Sequence, residues 1–186
     1  MTARPDQPSA LGNRVIATRD ATRDLFGAVG VQAVLAALTA DERAAFVGAP
    51  PKWVLERTYI AWTRAVYEGP AHRDAATLAR WVDRVTDHGF GTARRMLLAL
   101  ASPWVIVRRA GALWRGEHSH GDLTSAPLGD NSARFELRAS PYAEDDLAAR
   151  AMSEAFRYIL FRCRVKFATE EHRRVDDALH VDLRWG

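Results

Sequence analysis

Ala178-Leu-His-Val-Asp-Leu-Arg-Trp185 alternates apolar and polar side chains without a break, which is the two-residue period of a strand with one buried face. Arg164-Val-Lys-Phe-Ala-Thr-Glu-Glu-His172 alternates as well, and a short charged stretch centred on Asp176-Asp177 separates the two runs. Together they read as a terminal hairpin with Leu179, Val181, Leu183 and Trp185 inward and with His172 and His180 on the polar face. Upstream, Arg134-Phe-Glu-Leu-Arg138 repeats the pattern, and a weaker strand is placed near Asp122 to Ala126. Between the two strand pairs, Ala148, Met152, Ala155, Phe156, Ile159, Leu160 and Cys163 form the broad apolar stripe of an α-helix. With the order β-β-α-β-β the sheet is expected to be antiparallel and four-stranded, so the fold class is α+β.

The remainder is helical. Val15, Thr18, Thr22, Leu25 and Phe26 give way near Gly27 to Val31, Val34, Leu35 and Leu38, which predicts two helical stretches with a glycine joint. Thr39-Ala-Asp-Glu42 is a capping box, in which hydroxyl and carboxylate satisfy backbone N–H groups at a helix start. Leu55, Tyr59, Trp62 and Val66 line one helical face, and Ala75, Leu78, Val82 and Val85 another, with Gly89 as a left-handed terminator. A further helix carries Phe90, Ala93, Leu97 and Ala101; Ser102-Pro103 opens the next, with Ile106, Ala110, Leu113 and Trp114 on one side. Residues 1–12 read as a flexible tail and 13–186 as a single domain, mainly helical over 13–116 and sheet with one long helix over 117–186.

At 186 residues the chain can bury a core without metals or disulfides. The net charge of +3 is small, only Lys52 and Lys166 are lysines, and no basic run resembles a phosphate-tracking tail. Nucleic acid is therefore an unfavoured partner. The longest apolar stretch, Met96 to Val107, is shorter than the ~18 residues of a membrane span and is broken by Ser102-Pro103. No secretory leader is evident and Cys163 is the single cysteine, so the expected location is cytoplasmic.

Ser102-Pro103-Trp104 opening a helix, Leu113-Trp114 with Gly116, Gly121-Asp122-Leu123 leading into the first strand and the final Val181-Asp-Leu-Arg-Trp185 resemble, in this order, one superfamily. It contains haem-nitric-oxide-binding-like domains, 4-vinyl-reductase-like domains and Bet3-type trafficking subunits. The chain also resembles a large paralogous set of myxobacterial proteins of unknown function. The resemblance implies a helical subdomain over a four-stranded sheet, with an apolar pocket that different members fill with haem or lipid. Haem-binding members carry a Tyr-x-Ser-x-Arg signature that holds the propionates; nothing after Gly116 matches it. The paired cysteines of many 4-vinyl-reductase-like domains are also absent, since Cys163 stands alone.

Candidate sites each have a structural counterpart. Tyr59, Trp62, Trp104 and Trp114, from an aromatic set that includes Trp53 and Trp81, either wall a ligand pocket or simply fill a core. His118 and His120 share one face of an extended segment, as two metal ligands would, or belong to a polar loop. His88 is an axial haem candidate or a histidine favoured by a helix C-terminus. Cys163 reads as a buried hydrophobe, and no serine, Ser153 included, stands in a nucleophile-elbow context.

No catalytic residue is assigned and no cofactor is expected, haem being the one that the resemblance brings in. The leading expectation is a non-enzymatic module that binds a hydrophobic small molecule or a protein partner, with a homodimer among its assemblies. The alternatives are a haem-linked gas or redox sensor and, after it, a nucleic-acid-binding protein.

Overall fold

The computed structural model describes residues 5–186, and of 92–94 the backbone only. The chain divides into two compact units, Met1–Gly89 and Phe90–Gly186.

In the first unit, helix α1 (Asn13–Ala37) bends where Gly27 takes φ 67° and ψ −174°, a conformation that a side chain would oppose. The expected joint is thus a kink inside one helix. The short helix α2 (Ala40–Ala44) starts on the expected box: Thr39 Oγ1 accepts from the Glu42 N–H and Glu42 accepts from the Thr39 N–H. Helices α3 (Glu56–Glu68) and α4 (Ala75–Gly89) bury Tyr59, Trp62 and Val66, and Leu78, Trp81 and Val82. Asp74 accepts from the Thr77 N–H at the head of α4. Gly89 lies inside α4 and is not among the glycines with positive φ, so this helix ends without the expected left-handed residue.

Two features of this unit depart from the sequence expectation. Ser9–Leu11 (β1) and Trp53–Leu55 (β2) pair antiparallel, with Ala10 opposite Val54. Of the expected tail, Ser9 and Ala10 are therefore buried strand residues, and Met1 to Arg4 lie outside the described residues. Three-residue strands are too short to display a period, which is why neither alternates visibly.

The second unit begins with α5 (Thr92–Leu100) and α6 (Pro103–Glu117), the latter with Pro103 in its first turn. Strands β3 (Asp122–Gly129) and β4 (Ser132–Arg138) follow, then α7 (Pro141–Glu144), α8 (Asp146–Phe161), β5 (Ala168–Val175) and β6 (Ala178–Trp185). The sheet is antiparallel and four-stranded, in the order β3-β4-β6-β5. The fold is α+β, as its alternation pattern requires. Phe135 and Leu137 of β4 and Leu179, Val181, Leu183 and Trp185 of β6 are buried; Met152, Phe156 and Leu160 of α8 are buried too, with the Phe135 and Phe156 rings 5.1 Å apart, edge to face. The Ser125 hydroxyl donates to the Val107 carbonyl at 2.6 Å, and Gly111 leaves no room for a Cβ beside the Leu123 carbonyl. Helix α6 thus belongs with the sheet. The boundary between the two compact units lies at Gly89/Phe90.

Candidate functional site

In the first unit the aromatics close on one another around Thr22. The Trp62 and Trp81 indoles both donate to Thr22 Oγ1, each at 3.0 Å, and that hydroxyl donates onward to the Thr18 carbonyl at 2.8 Å. Phe46 packs on Trp62 with centroids 4.1 Å apart and meets Tyr59 edge to face at 6.3 Å. The Tyr59 hydroxyl donates to the Leu11 carbonyl at 2.9 Å, and burial raises its pKa well above the usual range. Tyr59 and Trp62 are therefore interior packing residues whose polar atoms are already satisfied. His88 sits at the surface of the same unit, its Nε2 2.8 Å from Asp24 Oδ2.

In the second unit, His118 is 4% exposed and stacks on Trp114 with centroids 3.6 Å apart and planes 3° from parallel; Tyr142 meets both rings edge to face. The Trp114 indole donates to the His120 carbonyl at 2.9 Å, and His120 Nδ1 lies 2.8 Å from the Ser119 hydroxyl. Among the described residues, no three His, Cys, Asp or Glu side chains converge as a metal would require. Trp104 donates to the Asp130 carbonyl at 3.1 Å and packs edge to face on Trp185. The four aromatic candidates thus fall into separate groups, Tyr59 with Trp62 around Phe46, Trp114 with His118, and Trp104 with Trp185.

The sheet corrects one further expectation. His172 lies opposite Val181, and directly opposed residues share a face, so His172 is on the same face as the core residues of β6. There, Glu170 accepts from the Ser153 hydroxyl of α8, and its Oε2 lies 3.0 Å from His172 Nδ1. The alternation does place His180 on the opposite face, 3.4 Å from Glu136. Sequence spacing missed the Ser153–Glu170–His172 group because its members come from two elements. The only visible signal was Ser153 inside the apolar stripe of α8.

This group has the residue types of a hydrolytic relay in the wrong order. The carboxylate stands between the hydroxyl and the imidazole, so His172 does not receive the Ser153 proton. Cys163 offers no better nucleophile: it is 3% exposed, its thiol donates to the Ile159 carbonyl, and burial pushes its pKa up to about 11.

What the group does supply is a pH-dependent contact. The hydrogen bond to Glu170 raises the pKa of His172 against the opposing effect of burial; burial pushes Glu170 up, but the bonds from His172 and Ser153 outweigh it and hold Glu170 low. Arg150 and Glu154 also face the pair. Because the folded chain holds the His172 proton more tightly than the unfolded chain does, this stabilisation is complete below about pH 6.5 and is lost as pH rises through the folded value. Thermal unfolding followed by circular dichroism should show a midpoint that falls as pH rises through that range. His172→Gln should flatten the slope there.

No family model and no curated protein matches the chain. Solved structures do match. The Fe(II) unliganded H-NOX protein from K. algicida superposes with a TM-score of 0.68 over 95% of this chain and 96% of that one, at 8% identity. The chain has the H-NOX fold. An oxygen-binding H-NOX domain related to soluble guanylate cyclases gives a TM-score of 0.60 over 94% of both chains at 12% identity. A structure described by the modulation of heme redox potential through porphyrin distortion gives 0.63 over 94% and 98% at 10% identity. At such identities the likeness establishes the H-NOX fold alone, and it agrees with the α+β plan derived from alternation. None of the described helices is long and apolar enough to cross a membrane.

Proposed function

We propose that the chain is a small-molecule sensor domain on the H-NOX scaffold, a binding module and not an enzyme. The observation that carries this reading is the likeness over nearly the full length of both chains. The similar structures are described by Fe(II), bound oxygen and heme, which favours haem-linked gas or redox sensing over an unassigned hydrophobic ligand. Kinship with the myxobacterial paralogues is proposed on the ordered residues from Ser102 to Trp185 alone.

Haem would supply an iron to which a gas binds or through which an electron passes. The histidines present single out no ligand for such an iron. One ring nitrogen of His88 is held by Asp24, one of His120 by Ser119 and one of His172 by Glu170, and His118 stacks on Trp114; His72 lies exposed in a turn, and both ring nitrogens of His180 are buried without a hydrogen bond, Nε2 3.4 Å from Glu136. None of the four tyrosines begins a Tyr-x-Ser-x-Arg run. The fold thus supports a sensor, and the residues assign no step to an iron.

Titration with haem, followed by absorption, tests the haem-linked form. A saturable Soret band at one haem per chain supports it. A spectrum that stays that of free haem removes haem and leaves the hydrophobic-ligand form of the reading.

A further inference from the structure

From His88 to Gly116 the sequence holds no aspartate or glutamate. The helices in that stretch also expose large apolar side chains: Met96 is 64%, Leu97 66% and Leu100 70% exposed on α5, and Leu113 is 50% exposed on α6. Met96 and Leu100 are one turn apart, with Leu97 beside them, so they occupy one face of α5. Helix α6 buries Ile106, Val107, Ala110 and Trp114 and turns Val105, Arg109, Ala112 and Leu113 outward. Arg108 and Arg109 are exposed and enter none of the ion pairs among the described residues.

Grouped exposed apolar side chains mark an interaction surface. A small ligand does not account for this one. A bound small molecule has about 70–90% of its own surface enclosed, and side chains this open line no enclosure. The occupant is therefore extended. It is also anionic, because Arg108 and Arg109 have no carboxylate partner among the described residues. A nucleic acid would use the arginines and leave the leucines unexplained, whereas a lipid surface uses both: acyl chains take up the apolar side chains and headgroups the guanidinium groups.

We propose that α5–α6 docks the protein peripherally on an anionic phospholipid membrane. This stands independently of the small-molecule reading, since it concerns an open face.

Sedimentation of the full chain with vesicles tests it. The wild type should pellet with phosphatidylcholine–phosphatidylglycerol vesicles and stay in solution with phosphatidylcholine alone. Arg108→Gln with Arg109→Gln should weaken partitioning roughly thirty-fold. Leu97→Ser with Leu100→Ser should weaken it at least about ten-fold. All four positions are exposed, so both variants should melt like the wild type. Equal partitioning onto neutral and anionic vesicles, no partitioning at all, or indifference to both variants would overturn the proposal. So would a wild type that ignores anionic vesicles and is retained by DNA or by polyglutamate.

Discussion

Thr22→Val is expected to lower the stability of the chain by roughly 2–6 kcal/mol, although it leaves no cavity. Valine has nearly the shape of threonine, so the packing of Trp62, 0% exposed, and Trp81, 3% exposed, is preserved. What changes is hydrogen bonding. A single hydroxyl oxygen receives both indole N–H groups at 3.0 Å, and its removal strands two buried donors at a cost of about 1–3 kcal/mol each. Chemical denaturation measures the loss. In a Trp62→Phe, Trp81→Phe background, the same substitution should cost much less, because the donors it would strand are gone. A loss below about 0.5 kcal/mol in the otherwise native chain would mean that the indoles find other acceptors.

Gly12→Ala should be comparably damaging, at about 3 kcal/mol or more. Gly12 joins β1 to α1, and its N–H donates to the Lys52 carbonyl at 2.9 Å. A Cβ there would overlap the Pro51 carbonyl oxygen, and backbone, unlike a side-chain tip, cannot swing aside. Relief requires pulling β1 from β2, which also removes the bond from the Glu56 N–H to the Pro8 carbonyl and displaces the Leu11 carbonyl that serves Tyr59. Hydrogen exchange should show faster exchange across Ser9–Leu11 in the variant. Unchanged protection and stability would show that the loop at Pro50-Pro51 yields.

These two sites also mark how far the sequence could be read. Alternation revealed the C-terminal sheet because Leu179, Val181, Leu183 and Trp185 have to face one core, and a slip of one residue would expose them all. The capping box and the glycine kink were legible because their chemistry is local. Strand β1 was not, since three residues carry no period and its burial is decided by Trp53–Leu55, far along the chain. Thr22 was visible only as a polar residue on an apolar face; its role depends on two tryptophans 40 and 59 residues away. His88 was read from its place at a helix end, whereas its partner Asp24 is 64 residues earlier. His172 was assigned to the outer face because its strand begins later than the alternating run does, and only the register with β6 fixes its side.

The same division governs function. Fold follows from patterns repeated along many residues, and here it is the H-NOX fold. A cofactor site depends on a few side chains meeting in space, and here His88 and His172 meet carboxylates, His120 a serine and His118 a tryptophan.

Native mass spectrometry of the full chain, in the same haem titration, bears most directly on the claim that this is a small-molecule binding domain. The reading predicts one small molecule per chain, either carried through gentle purification or taken up as haem at saturation. Only the bare chain mass, as purified and at every haem concentration, would contradict it.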